Sequence, residues 1–161
     1  MTKELREYNK RLQALTHDTD RIVKFGIYDG IGCFADAIRQ ELNSDMIVVS
    51  DKAAIAAWAR KVPVPICDSQ RAGLLSGLGI RKMKKKHGAI QTRTHFAGYN
   101  SIRTRRWPKG QPNTLIAANC EHGTSHLIEQ PFIRPAFNMA QGEALALFRK
   151  TFLEESEKVL K

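Results

Sequence analysis

The sequence predicts an α+β protein, with long helices at both ends of the chain packed against a short antiparallel or mixed sheet. Three observations predict it. Apolar residues recur at spacings of three and four through the first 42 residues, the period of an amphipathic helix. The same helical spacing returns after Asn138. Between these stretches, Leu78-x-Ile80 and Ile90-x-Thr92-x-Thr94-x-Phe96 alternate instead, the period of a half-buried strand. Helices flanking a central sheet, and covering mainly one side of it, define the class.

Element by element, Leu5, Tyr8, Leu12 and Leu15 mark a first helix that ends near His17. Asp18, Thr19 and Asp20 are N-cap residue types for a second helix, along which Val23, Ile27, Ile31, Phe34, Ile38 and Leu42 continue the stripe. Gly26, Gly30 and Gly32 each weaken that helix by about 1 kcal/mol relative to alanine. They imply either close approach of another backbone or a break near Gly30. Residues 46–49 read as a short strand, and 52–60 as an alanine-rich helix stopped by Val62-Pro63-Val64-Pro65. The alternating runs on either side of Lys85-Lys86-His87-Gly88 form a two-stranded hairpin. Residues 98–113 are rich in turn formers and bases, an exposed loop that is mobile until a partner covers it. Residues 114–119 fit a strand or a short helix equally well. Asn138 with Gln141 resembles a capping box, after which Leu145, Phe148, Phe152 and Val159 mark one face out to Leu160. The expectation is one domain over 1–161: mainly helical to residue 65, sheet and basic loops over 70–137, and a closing helix over 138–161.

Composition bounds the possibilities. The chain has 161 residues, 42% of them apolar, enough for one core. No run approaches the roughly 18 apolar residues of a membrane-crossing helix, and no apolar leader opens the chain, so it is expected to be made and kept in a cytosol, away from membranes. Cys33, Cys67 and Cys120 are an odd, scattered set that fits reduced thiols. The net charge is +10, and its placement says more than its size. Between Asp68 and Glu121 there are eleven bases and no acid, while the rest of the chain is near neutral. The excess lies on Arg71, Arg81, Lys82, Lys84, Lys85 and Lys86, then on Arg93, Arg103, Arg105, Arg106 and Lys109. A positive potential over one part of the surface follows, suited to nucleic acid, an acidic protein rim or solvent.

Candidate chemistry is sparse. Cys120-x-His122 with His126 offers thiolate and imidazole for zinc, but the fourth ligand is missing and no Cys-x2-Cys pair stands elsewhere. The same residues as a nucleophile and base need a pocket and an orienting third group. No phosphate-binding glycine loop, hydrolase elbow, zinc-protease helix or paired-carboxylate motif accompanies them. Neither an enzyme, a metal nor a cofactor is therefore expected. The basic tract with Phe96, Tyr99 and Trp107 interleaved has the ingredients of a nucleic-acid surface spanning 71–109, where bases stack on aromatics and cations neutralise phosphates. It carries no helix-turn-helix, zinc-finger or RNA-recognition signature.

The clearest pattern is Glu121-His122-Gly123-Thr124-Ser125, then Gln130-Pro131-Phe132-Ile133-Arg134-Pro135-Ala136-Phe137 and the last helix. In physical terms Gly123 frees a turn, and Thr124 and Ser125 bond its amides. Pro131 and Pro135 stiffen an extended link, which Phe132, Ile133 and Phe137 anchor to the core. Arg134, held between two rigid points, suits a partner group or an internal pair with Glu121. This run resembles the bacteriophage family of tail-component and head-tail joining proteins. Gly98-Tyr99-Asn100, Lys109-Gly110-Gln111-Pro112-Asn113, and Ala72-Gly73-Leu74-Leu75 to Leu78-Gly79-Ile80 are similar to further pieces of its pattern, with Ala72 where the family has threonine. The resemblance covers residues 70–160, and the N-terminal helices only by type. It implies a non-enzymatic virion protein of the tail or neck that forms a ring, a hexamer or a match to one. Its partners are then copies of itself and neighbouring neck or tail proteins, with the basic hairpin available to packaged DNA. It also points to Glu121, Gly123, Thr124, Ser125, Pro131, Phe132, Arg134 and Pro135 as interface residues.

Overall fold

In a computed structural model, which describes residues 3–44 and 46–161, the first 42 described residues form one unbroken helix, α1 (Lys3–Ser44). The expected end near His17 and the break near Gly30 are both absent. Residues that would have capped a second helix are used otherwise: Asp18 pairs with Arg21 at 3.0 Å and Asp20 with Lys85 at 2.5 Å. Thr16 and Thr19 turn their hydroxyls back onto the carbonyls of Leu12 and Leu15, at 2.9 and 2.8 Å, a bond compatible with an uninterrupted helix.

After α1 come β1 (Val48–Val49), α2 (Asp51–Ala59), β2 (Ile66–Cys67) and α3 (Asp68–Gly77). The middle of the chain supplies β3 (Leu78–Ile80), β4 (Lys84–Lys86), β5 (Ala89–Gln91) and β6 (Thr94–Phe96), and the last third supplies α4 (Asn113–His122) and α5 (Ile133–Leu160). The class is α+β, with long helices at both ends and short strands between. The strands lie in three separate pairs, β1 with β2 parallel, β3 with β6 and β4 with β5 antiparallel.

The terminal helices run antiparallel along each other, and glycines decide how closely. A Cβ on Gly26 would lie 2.8 Å from the Phe148 ring, and one on Gly30 would lie 3.1 Å from the carbonyl oxygen of Ala144. These two glycines therefore admit α5, which is the close-approach reading; Gly32 faces open space. Cys33 reaches Ala140 O at 4.0 Å, Phe34 stacks on Phe137 at 5.2 Å, and Thr151 donates to Asp29 at 2.6 Å. At 1.5 Å per residue α1 is about 63 Å long and α5 about 42 Å, so α1 overhangs. Its residues 3–14 are exposed throughout.

The core lies where the N-terminal end of α5 meets the C-terminal half of α1, α3 and α4. Ile38, Leu42, Ile66, Leu74, Ile116 and Phe132 are its main members, with Phe132 edge-on to Phe96 at 5.8 Å between ring centres. Helix α5 starts at Ile133, so Asn138 lies inside it and not at its cap, and Pro135 sits in its first turn, not in an extended link. A proline is tolerated there because the first four helical amides have no intrahelical acceptor. Phe137 is 52% exposed, resting on Phe34 rather than anchoring in the core.

The hairpin is as expected at its tip: His87 and Gly88 both have positive φ, 50° and 77°, the two-residue turn that matches strand twist. Below the tip, Ile80 pairs with Thr94 and Lys84 with Gln91, so three residues on one strand face two on the other, a bulge. Residues 114–119 are helical, as part of α4.

Candidate assembly surface

The loop of residues 98–113 carries its bases outward but is closed by its own bonds. Asn100 N donates to Gln111 O at 2.9 Å, and Asn113 N to Gly98 O at 3.0 Å. Inside it, Asn100 Oδ1 accepts from Ile102 N at 2.9 Å and Gln111 N at 3.3 Å. Buried Gln70 ties the loop to α3, donating to Gln111 Oε1 at 2.9 Å while accepting from Cys67 N at 3.2 Å. Asn113 donates to Gly73 O and Ala97 O, both at 2.7 Å, joining α4 to α3 and to the residue that follows β6. Gly110, at φ 108°, packs directly against the carbonyl of Asn100, leaving no room for a side chain. The loop is thus not uniformly exposed: Asn100, Ile102 and Gly110 are buried.

The run from Glu121 to Pro135 is a second brace. Glu121, 7% exposed, accepts through Oε1 from Phe132 N at 2.8 Å and Ile133 N at 2.6 Å, capping α5 from outside its own sequence. Arg134 lies alongside, its Nη2 donating to Glu121 O at 3.1 Å, its Nε 3.5 Å from Glu121 Oε2, and its Nη2 3.4 Å from Glu129. The internal pair is what forms, although 63% of the arginine side chain stays exposed. Gly123 ends α4 at φ 67°, donating to Asn119 O at 2.8 Å. Thr124 Oγ1 accepts from His126 N at 3.2 Å and Leu127 N at 3.0 Å, as its residue type suggested. Phe132 is fully buried, Pro135 half-buried, and Ser125 and Pro131 are exposed.

Between these two braces lies a groove of about 650 Å³. Trp58, Trp107, Leu115 and Leu127 line it, with Arg106 and His126 at its polar margin. Trp58 donates through Nε1 to His126 O at 2.9 Å, and Arg106 stacks 5.5 Å from the Trp107 ring centre. No carboxylate lines it. The sequence motifs do not mark Trp58 or Gln70, and they include Gln111 only as one residue of the 109–113 run; for Trp58 the signal is a lone tryptophan in an alanine-rich helix.

Arg81, Lys82, Lys84, Lys85, Lys86 and Arg93 are all exposed on the hairpin, as are Arg103, Arg105, Arg106 and Lys109 on the loop. The fold parts these two groups, since the hairpin leans on α1 through Lys85 and Asp20 while the loop packs over α2 and α3. The thiols are poor nucleophiles: burial pushes Cys120 up to about 12, with the charge of Glu121 adding to it, and burial likewise pushes Cys67 up to about 12. Cys120 faces the core while His122 and His126 are exposed, so the three do not converge. Among the described residues no cluster of histidine, cysteine and carboxylate side chains could hold a metal ion, and no helix is long and apolar enough to cross a membrane. No family model, curated protein or solved structure matches this chain. The braces and the groove therefore stand on their own geometry.

Proposed function

We propose that this chain is a non-enzymatic structural protein of a bacteriophage tail or neck, built into the virion as a ring of identical subunits during tail completion or head-tail joining. One observation carries the reading furthest. The 18.2 kDa chain exposes 10804 Å², whereas a compact monomer of that mass exposes about 8100 Å². Surface about a third in excess, with Leu5, Tyr8 and Phe25 standing open along α1, fits a subunit that completes its burial against neighbours. The motif residues support the same reading from inside: Glu121, Thr124 and Arg134 are engaged in bracing a rigid frame, and the cysteines are held neutral. A hexamer, with further contacts to neck or tail proteins, is the form the resemblance implies. Deleting the chain from a phage that encodes it should leave heads and tails that fail to join, seen by negative-stain imaging. Unchanged particle number and tail attachment would end the proposal.

A second reading, DNA contact through residues 71–109, is favoured by the exposure of all ten hairpin and loop bases named above. Among the described residues Lys85 is the only one of them in an ion pair. It predicts duplex affinity that falls steeply with salt, the slope dropping by about one for each phosphate-contacting lysine changed to glutamine. Affinity no greater than that of a variant with its charges rearranged removes it.

A further inference from the structure

We infer that the overhang of α1 is a self-docking arm, which pairs antiparallel with the same arm of a second copy of this chain. The contact is two-fold and goes beyond the ring reading, because it joins two subunits whether or not either sits in a ring.

The apolar stripe of the arm continues a seam that is already in use. Leu5, Tyr8, Leu12, Leu15 and Ile22 follow helical spacing along α1, and the line runs on into Gly26 and Gly30, which meet α5. Gly30 faces Ala144 and Gly26 faces Phe148, so a step of four toward the start of α1 matches a step of four toward the end of α5. At that rate Leu160 reaches about residue 14 of α1. Burial agrees: Leu15 is partly buried, and residues 3–14 are exposed. Leu5, 52% exposed, and Tyr8, 61% exposed, therefore hold seam positions past the reach of α5. What fits there is a helix of about three turns on the line of α5, with an apolar stripe of its own.

The arm of a second copy meets that description, and steric and electrostatic constraints independently fix the same register. Because α5 covers the seam from about residue 14 onward, Leu5 of the second copy cannot lie opposite Leu15. The alignment that would match all four leucine and tyrosine positions of the arm is blocked. Sliding the copies apart by one heptad clears α5 and sets Leu5 of each copy opposite Tyr8 of the other. The charges choose the same alignment. Glu4 and Arg11 flank the seam on one side, lining a shallow concavity with Tyr8, and among the described residues neither is in an ion pair. In the cleared register Glu4 of each copy faces Arg11 of the other, whereas in the blocked one Arg11 would face its own counterpart. Lys3, Arg6, Glu7 and Lys10 lie further out around the helix by the same periodicity. Three turns per chain fall short of the roughly 1,200 Å² of a standard interface, so the pairing is transient and shows at high protein concentration.

Sedimentation of the full chain over a wide concentration range tests the pairing. Wild type should self-associate, and Glu4→Arg or Arg11→Glu alone should associate about tenfold or more weakly, because like charges then oppose in both halves of the contact. Both positions are exposed, so the variants should fold. Mixed together, the two single variants should pair with each other, and a chain carrying both changes should regain wild-type association, since each arrangement restores both opposite-charge pairs. Single variants that associate as wild type does, or a doubly changed chain that fails to recover, overturn the pairing. A wild type that stays monomeric assigns the arm to a partner of another kind and also overturns it. Association retained by every variant removes the arm and leaves the ring reading standing, to be judged by the particle experiment above.

Discussion

Glu121 shows how one side chain can hold two segments. Its carboxylate takes the first amides of α5, groups that a helix leaves without partners, and its backbone carbonyl takes Arg134. Replacing it with alanine strands two amides at a buried helix start, and we expect a loss of about 2 kcal/mol in urea unfolding. Arg134→Ala should cost less, about 1 kcal/mol or below, because the arginine end of both pairs is 63% exposed and water can replace it. Equal losses for the two would mean that the pair, and not the cap, stabilises the run. Asp51 makes a pH-dependent counterpart. Ser69 donates to it from both amide, at 3.0 Å, and hydroxyl, holding its carboxyl below the ordinary value of 3.8. A depressed carboxylate contributes stability that is full above the unfolded value and is lost as pH falls through the folded one. Asp51→Asn should therefore flatten the stability profile below about pH 4. A profile with wild-type slope there would show that the Ser69 bonds carry no linkage.

At the level of elements, the pairing of α1 with α5 depends on which glycine faces which neighbour. Gly26 lies under Phe148, so Gly26→Ala should lose about 1–3 kcal/mol to overpacking despite the better helix former. Gly32 meets nothing, so Gly32→Ala should gain about 1 kcal/mol. Chemical denaturation of the two variants separates the cases, and destabilisation at both would mean that α1 bends at Gly32. The hairpin shows a related dependence on context. Its tip was legible from His87-Gly88, because few residue pairs accept two positive φ values. The bulge below it was not, because alternation holds on either side of the extra residue.

For the molecule as a whole, the excess of exposed surface has a thermodynamic consequence. A subunit that completes its burial only in an assembly has a melting temperature that rises with its own concentration. Thermal scans across a wide range of protein concentration should show that rise, and a flat midpoint would indicate a self-sufficient monomer. The two terminal helices are unequal in length. An isolated amphipathic overhang of twelve residues is marginal in water, and it is held helical here by continuity with the packed part of α1.

Periodicity was enough to specify the α+β class, the long terminal helices and the strand turn, because burial of one face imposes a local repeat that a single chain displays in order. Proline marked the C-terminal end of α2 and glycine the tip of the hairpin for the same local reason. Other features arose only when distant segments met. Whether α1 broke depended on Phe148 and Ala144 more than a hundred residues away, and Asn138 lost its capping role because Glu121 took up the start of α5. The amide network of Gln70, Asn100, Gln111 and Asn113, like the groove beside it, has no signature along the chain. A buried polar side chain is defined by its partners, and those partners are chosen by tertiary contact.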